Sequence, residues 1–304
     1  MMKVSETGNV KSLAAEIARL ENVGKISQNT GLCILLVGLD KASPLSPTMH
    51  NAAYGGMGED ILYIRAATDD LKGRVGEMRS LGARFRGASV GIPYKQDIMQ
   101  YLDSVDETSR AIGAVNTVVN RNGKLYGYNS DWTGAEKAIG EKARWDDIKS
   151  ATLVGAGGAG MAIAYMLRRR GIRVTVYNRT PDRAEKVAAA LGVANGGGLA
   201  GLEKAKPSDL IVNATSVGSK LGGHVGESLV PEEVLRKSKA AFDAVYLPRD
   251  TKFLEQAKAA GLTVVHGDRM LLFQAVTQVE LFTGRKAPVE TMEKALNDYL
   301  RSIS

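Results

Sequence analysis

A single cysteine, Cys33, stands among 304 residues, so no disulfide can form within the chain. That shortage favours a reducing compartment, and a cytoplasmic setting is expected. The three histidines, His50, His224 and His266, are widely spaced and have no cysteine neighbours, so no metal site is expected. No apolar run reaches the length of about 18 residues that a membrane span requires. The first residues also lack the apolar core of a secretory signal. No block of roughly five or six like charges occurs. The net charge of +7 is spread along the sequence, apart from Arg168-Arg169-Arg170 at the end of a helical pattern, where cations complement the helix dipole. With no RNA-type aromatic motif either, nucleic acid is not an expected partner. A small anionic ligand accounts equally well for the positive balance.

Hydrophobic residues make up 44% and charged residues 24%, which suits a folded chain with a sizeable core. The length corresponds to about two domains. Glycine is abundant: 34 residues, about 11% against roughly 7% in ordinary proteins, with no collagen period. Many positions therefore call for positive φ or close backbone approach.

The first thirty residues hold one amphipathic run (Leu13, Ile17, Leu20) and a polar stretch, which together predict a short helix and linker forming an appendage. Strands are predicted at Leu32–Gly38, Ile61–Ala67 and Gly87–Ile92. A hairpin is predicted over Ala114–Asn129, turned by Asn120-Arg121-Asn122-Gly123. Helical patterns lie between, at Leu71–Leu81 and Ile98–Tyr101. A second block begins near Lys149, with apolar strands at Ala151–Ala156, Arg173–Asn178, Leu210–Thr215, Ala240–Val245 and Thr263–Gly267. Helical segments at Ala159–Arg170, Asp182–Leu191, Pro231–Arg236 and Thr251–Ala260 separate most of them. Such alternation predicts a buried parallel sheet. Met270–Thr283 and Val289–Ser302 read as helices, and the cluster Gly196-Gly197-Gly198 with Gly201 reads as a loop. The fold class is thus α/β in two units.

The strongest local signal is the turn Gly155-Ala156-Gly157-Gly158-Ala159-Gly160, a G-x-G-x-x-G between a strand and a helix. The pattern calls for a tight turn at Gly155, backbone approach to a pyrophosphate at Gly157 and close helix packing at Gly160. After the following strand an NAD site usually places a carboxylate. Here the chain reads Asn178-Arg179-Thr180-Pro181-Asp182-Arg183. Guanidinium groups bind a 2′-phosphate that a carboxylate would repel, so Asn178, Arg179, Thr180 and Arg183 predict NADP as the cofactor. Before the fingerprint, Lys95, Asn116 and Asp131 fall at predicted strand ends. A lysine beside a carboxylate can transfer a proton to or from a hydroxyl during hydride transfer, although spacing alone does not bring these three together.

Nine ordered segments carry a resemblance: Ser43–Asn51, Ser89–Lys95, Ile112–Val118, Gly127–Asp131, Val154–Gly160, Asn178–Thr180, Asn213–Gly218, Asp243–Tyr246 and Gly267–Ala275. In them the chain resembles the shikimate dehydrogenase family over roughly residues 32–300. The resemblance implies an N-terminal α/β substrate domain (31–131 and 268–304) and a Rossmann-type NADP-binding domain (132–267), with C-terminal helices returning to the first; residues 1–30 remain an appendage. It makes Lys95 and Asp131 the catalytic pair. Asn116 and Gln274 would hold ring hydroxyls, and Ser46 and Tyr246 the substrate carboxylate. Asn213, Thr215 and Met270 would lie near the nicotinamide. The implied reaction interconverts shikimate and 3-dehydroshikimate with NADP and no metal.

Three positions depart from the family pattern. Pro44 replaces the first serine of Ser-x-Ser-Pro, with Ser43 displaced by one. Gly91 replaces a threonine, leaving space where its side chain would sit, and Trp132 follows the catalytic aspartate where glycine is common. All three are expected in or beside the substrate pocket, which predicts retained redox chemistry with weakened shikimate affinity. Quinate, an aminated analogue or another hydroxylated ring carboxylate stands as the alternative substrate. A non-catalytic NADP-binding sensor is the alternative class. A monomer or homodimer is expected. His50 is expected to serve packing or a hydrogen bond at a helix start, and Cys33 to lie in the core.

Overall fold

A computed structural model of the chain describes residues 12–39, 44–220, 222 and 224–303. Along the first half run α1 (Leu13–Asn22), β1 (Gly31–Val37), α2 (Leu45–Met57), β2 (Ile61–Ala67), α3 (Leu71–Ser80), β3 (Phe85–Val90), β4 (Ser104–Val105), α4 (Glu107–Ile112), β5 (Thr117–Arg121) and β6 (Lys124–Tyr128). The second half holds α5 (Asp131–Gly140), β7 (Ser150–Val154), α6 (Gly158–Arg169), β8 (Arg173–Tyr177), α7 (Pro181–Leu191), β9 (Ala194–Gly197), β10 (Leu210–Asn213), α8 (Glu232–Leu235), β11 (Ala240–Asp243), α9 (Lys252–Ala259), β12 (Thr263–Val265), α10 (Gly267–Thr283) and α11 (Val289–Ile303).

Two six-stranded sheets result. The first has the order β2-β1-β3-β5-β6-β4. Its β1 is parallel to both β2 and β3, whereas β5 runs antiparallel to β3 on one side and to β6 on the other. The apolar β1 is buried throughout because both faces are covered. Leu32, Ile34 and Leu36 pack into one core cluster and Cys33, Leu35 and Val37 into another. The hairpin turns at Asn122 (φ 54°) and Gly123 (φ 84°), the left-handed pair that its Asn-Gly dipeptide favours.

The second sheet, β12-β11-β10-β7-β8-β9, is wholly parallel. Strand order reverses between β7 and β10, which opens a crevice at their carboxyl ends where ligands of such sheets bind. Helix α10 serves both halves. Its Met270 packs with the second sheet, and its Leu272, Ala275, Val276 and Val279 pack with the first. It crosses α5 closely, because a Cβ on Gly134 would lie 2.7 Å from the Met270 carbonyl oxygen.

Three sequence expectations change. The predicted appendage helix α1 buries Leu13, Ile17 and Leu20 in the same core as β1 and β3, so an apolar stripe that looked unpartnered is covered by the first sheet. Part of the glycine cluster forms the edge strand β9. Gly196 is needed there because a Cβ would lie 2.5 Å from the Tyr177 ring. Ile98–Tyr101 belongs to a five-residue 3-10 turn, Asp97–Tyr101, instead of an α-helix.

Candidate active site

Three chain segments converge beside the crevice. Lys95 follows β3, Asn116 precedes β5, and Asp131 opens α5 after the hairpin. Their backbones are stitched together: Val115 N–H donates to the Lys95 carbonyl at 2.7 Å, Val90 N–H to the Asn116 carbonyl at 2.7 Å, and Asn116 N–H to the Tyr128 carbonyl at 3.0 Å. On this frame Lys95 Nζ donates to Asp131 Oδ2 at 2.5 Å. The Asp131 side chain is 7% exposed and that of Lys95 19%, so the ion pair is sheltered, with the ammonium on its open side.

The aspartate is held from several directions. Asn116 Nδ2 donates to Asp131 Oδ1 at 2.8 Å and to Ser130 Oγ at 3.0 Å. Ser130 N–H donates to Asn116 Oδ1 at 2.7 Å, and Asp131 N–H to Asn129 Oδ1 at 2.9 Å. The hydroxyl of Thr117 also donates to Asn116 Oδ1, at 2.7 Å. Asn129, Ser130 and Thr117, all buried, were not singled out from the sequence. Nothing in their local spacing marks them, and only their convergence in space around Asn116 and Asp131 gives them a role.

The glycine turn sits directly opposite. Gly155 takes φ +116°, and a Cβ on it would lie 2.7 Å from the Ala214 carbonyl oxygen. Gly160 lies over the Gly155 carbonyl, which a Cβ would approach to 2.1 Å, so helix α6 seats tightly on the strand end. Beyond Gly157, the helix N-cap, there is open space. Ala156 is buried and Ala159 half-buried. Gly158 lies against the Lys95 stem, with its missing Cβ position 3.1 Å from Cδ, so the turn and the lysine share one cleft.

Other predicted residues fall as follows. Asn178 ties the turn together, accepting from Ala156 N–H at 3.1 Å and donating to the Thr180 carbonyl at 3.0 Å. Arg179, Thr180 and Arg183 are exposed around the start of α7. Asn213 and Thr215 bond each other, Oγ1 to Oδ1 at 2.7 Å, and Asn213 also donates to the buried Asp243 at 3.0 Å. Burial pushes the Asp243 carboxyl up to about 7, although Thr251, Val245 N–H and Asn213 all donate to it. These residues shape the loop after β10. Met270 is buried at the start of α10.

On the substrate side, Ser46 is half-buried in the first turn of α2. Its carbonyl bonds His50 Nδ1 at 2.9 Å, the helix-start bond expected of that histidine. His50 is fully buried and stacks on Tyr63 at 4.1 Å. Tyr246 is half-buried against the first core, and Gln274 Nε2 turns back onto the Leu271 carbonyl at 2.9 Å. Pro44 starts α2, where its missing N–H costs nothing, and its carbonyl accepts from Thr48 N–H at 3.1 Å. Ser43 lies outside the described residues.

Two expectations about the departures are corrected. The space at Gly91 is taken, because a Cβ there would lie 2.6 Å from Val37 Cγ1. Trp132 faces away from a substrate role and packs edge-on to Tyr165 of α6 at 6.2 Å, with the Arg169 guanidinium 5.1 Å above its ring. Its size fills the seam between α5 and α6. Among the described residues no cluster of histidine, cysteine or acidic side chains fits a metal, and no helix is long and apolar enough to cross a membrane.

Comparison with known proteins agrees with this geometry. Residues 36–118 match the shikimate dehydrogenase substrate binding domain, residues 138–252 the shikimate / quinate 5-dehydrogenase family and residues 269–296 the shikimate 5'-dehydrogenase C-terminal domain. A shikimate dehydrogenase (NADP(+)) of Moorella thermoacetica is 37% identical over 295 residues, covering 92% of this chain and 97% of the relative. A Thermus thermophilus shikimate 5-dehydrogenase, solved with NADP(H) and shikimate, superposes with a TM-score of 0.78 at 36% identity, covering 88% of this chain and 99% of that one. A quinate dehydrogenase from Corynebacterium glutamicum, in complex with NAD, gives a TM-score of 0.78 at 31% identity, covering 88% and 99%. With relatives matched along nearly their whole length and one architecture shared among them, this chain belongs to the shikimate dehydrogenase family.

Proposed function

We propose that the protein catalyses the reversible, NADP-dependent interconversion of shikimate and 3-dehydroshikimate. The observation that carries this reading is the sheltered Lys95–Asp131 pair, whose lysine stem lies against the glycine turn of the second sheet. The chain's residues fit the cofactor. Gly157 leaves open space at the N-terminus of α6, where backbone N–H groups and the helix dipole favour a pyrophosphate. Arg179 and Arg183 place two exposed cations at the start of α7, where they oppose that helix's own dipole and suit a 2′-phosphate. When bound, NADP supplies the hydride acceptor. Asn178, bracing the turn to the loop before α7, keeps the two phosphate subsites in register.

In the oxidative direction the neutral amine form of Lys95 receives the proton of the ring hydroxyl as the hydride leaves the same carbon, and becomes the ammonium that pairs with Asp131; in the reductive direction that ammonium returns the proton. Asp131 orients the amine and balances its charge in both directions. Asn116 steadies Asp131; with Gln274, once its carboxamide turns from the Leu271 carbonyl, it holds the ring hydroxyls, and Ser46 and Tyr246 hold the carboxylate. Residues 31–131 with 268–304 form the substrate unit and 132–267 the cofactor unit. The buried, unpaired thiol of Cys33 suits a cytoplasmic enzyme.

Following reduced nicotinamide by absorbance, with NADP and NAD each offered shikimate and quinate, tests the reading. Fastest turnover with NADP and shikimate is expected. A preference for quinate would reassign the substrate, and cofactor binding without turnover on any ring acid would defeat the enzyme reading. Quinate is kept as the second reading because Pro44 and Gly91 remove two side-chain hydroxyls from the pocket.

A further inference from the structure

Gln278, on α10, is 1% exposed and joins the polar network beneath the catalytic pair. Its Nε2 donates to the Asn116 carbonyl at 3.2 Å and to Thr117 Oγ1 at 3.1 Å, and its Oε1 accepts from Ser89 Oγ at 2.6 Å. Chemistry fixes every orientation in this chain of bonds. The Ser130 backbone N–H can only donate, so Asn116 must turn Oδ1 towards it. The Thr117 hydroxyl, facing the same Oδ1, must therefore donate its one proton there. That leaves Thr117 Oγ1 only lone pairs to offer Gln278, and the Asn116 carbonyl likewise only accepts. Gln278 cannot flip without setting acceptors against acceptors. With Oδ1 engaged, Asn116 Nδ2 is directed at Asp131 Oδ1, and Asp131 Oδ2 is left for Lys95. The nearby His50 imidazole bonds the Ser46 carbonyl through Nδ1, and its buried Nε2 makes no hydrogen bond among the described residues.

We propose that Gln278 is a positioning residue for hydride transfer: it fixes the Asn116 carboxamide and, through it, the Asp131 carboxylate that holds Lys95. The proposal rests on the dehydrogenase reading above. Gln278→Met keeps the length of the side chain and removes its hydrogen bonds. It lowers kcat on shikimate by about three- to tenfold, the effect of one neutral hydrogen bond, and leaves the KM for NADP unchanged. Gln278→Glu behaves differently. As a neutral acid, favoured by burial, it still donates one hydrogen bond; as a carboxylate it sets acceptors against Thr117 and Asn116. The ratio of its kcat to that of the wild type therefore falls as pH rises, whereas the Met ratio stays flat. His50, Tyr63, Lys95 and Asp131 are present in both proteins, so their contributions divide out of these ratios.

A Met variant with wild-type kcat, or a Glu ratio that ignores pH, overturns the proposal. If the Met variant does not fold, the pH dependence of the Glu variant decides alone. A wild type inactive on every ring acid overturns the dehydrogenase reading and this proposal with it. An active wild type with indifferent Gln278 variants overturns only the positioning role.

Discussion

The Lys95 side chain lies close against Gly158, the first residue of α6: a Cβ on Gly158 would lie 3.1 Å from Lys95 Cδ. This contact sets the Lys95 stem directly against the glycine turn. Gly158→Ala forces the flexible stem to give by a few tenths of an ångström and displaces Nζ from Asp131. We expect kcat to fall by about three- to tenfold, since small misplacements of reacting groups are costly. Steady-state kinetics check it; an unchanged kcat would mean that the stem moves without disturbing the amine.

Removing the amine itself has a larger effect. Lys95→Ala lowers kcat by about 10²–10⁴-fold, the usual reach of a positioned acid–base group, and leaves NADP binding intact. Asp131→Asn also lowers kcat, because an uncharged partner neither orients nor balances the ammonium. Near-full turnover in Lys95→Ala, measured with NADP affinity by fluorescence, would remove the proton-transfer assignment.

Replacing both Arg179 and Arg183 by Ala raises the KM for NADP at least about tenfold and that for NAD far less, because hydrogen bonds to charged groups contribute about 1.5–3 kcal/mol each. Equal effects on the two cofactors would refute the phosphate cradle.

Shikimate is expected to turn over with a high KM, since Pro44 and Gly91 offer no side-chain donor to it. Restoring threonine at 91 alone does not repair this. Val37 Cγ1 occupies the position, and forcing a side chain beside it destabilises by roughly 1–3 kcal/mol. The pair Gly91→Thr with Val37→Ala supplies the room and lowers the KM for shikimate below that of either single variant. A single Gly91→Thr variant as stable as wild type, judged by urea unfolding, would show that Val37 yields freely.

Burial lowers the His50 imidazole from 6.5 to about 4. The unfolded chain protonates it first as pH falls, so its contribution is present above about 6.5 and is lost on descending through about 4. The loss is about 3 kcal/mol. Asp243, raised by burial, titrates in the opposite sense, so the wild type must be compared with His50→Phe, in which Asp243 is unchanged. The wild type should lose more stability than His50→Phe between these limits in urea unfolding; parallel curves would refute the assignment.

Elements whose local pattern coincides with their packing were legible in the sequence. The buried run of β1, the Asn122-Gly123 hairpin and the glycine turn each announce their conformation through side-chain chemistry alone. Edge strand β9 was not legible, because its glycines answer to the Tyr177 ring and not to strand propensity. Lys95 and Asp131 could be named but not joined, since 36 residues of chain separate them. Gln278 was hidden for a further reason: a glutamine on a helix reads as surface, and its three partners lie on β3 and at the start of β5. Trp132 was misplaced because adjacency to Asp131 in sequence says nothing of direction; one step along a helix points a side chain to another face.

Helix α10 seals both cores at once, Met270 entering one and Leu272 to Val279 the other. During synthesis on a ribosome both sheets are complete in sequence before this helix emerges, yet each still exposes the apolar face that it will cover. Complete burial of both cores therefore waits on one helix that follows both sheets in the chain, with α11 adding Met292, Leu296 and Leu300 to the first core after it.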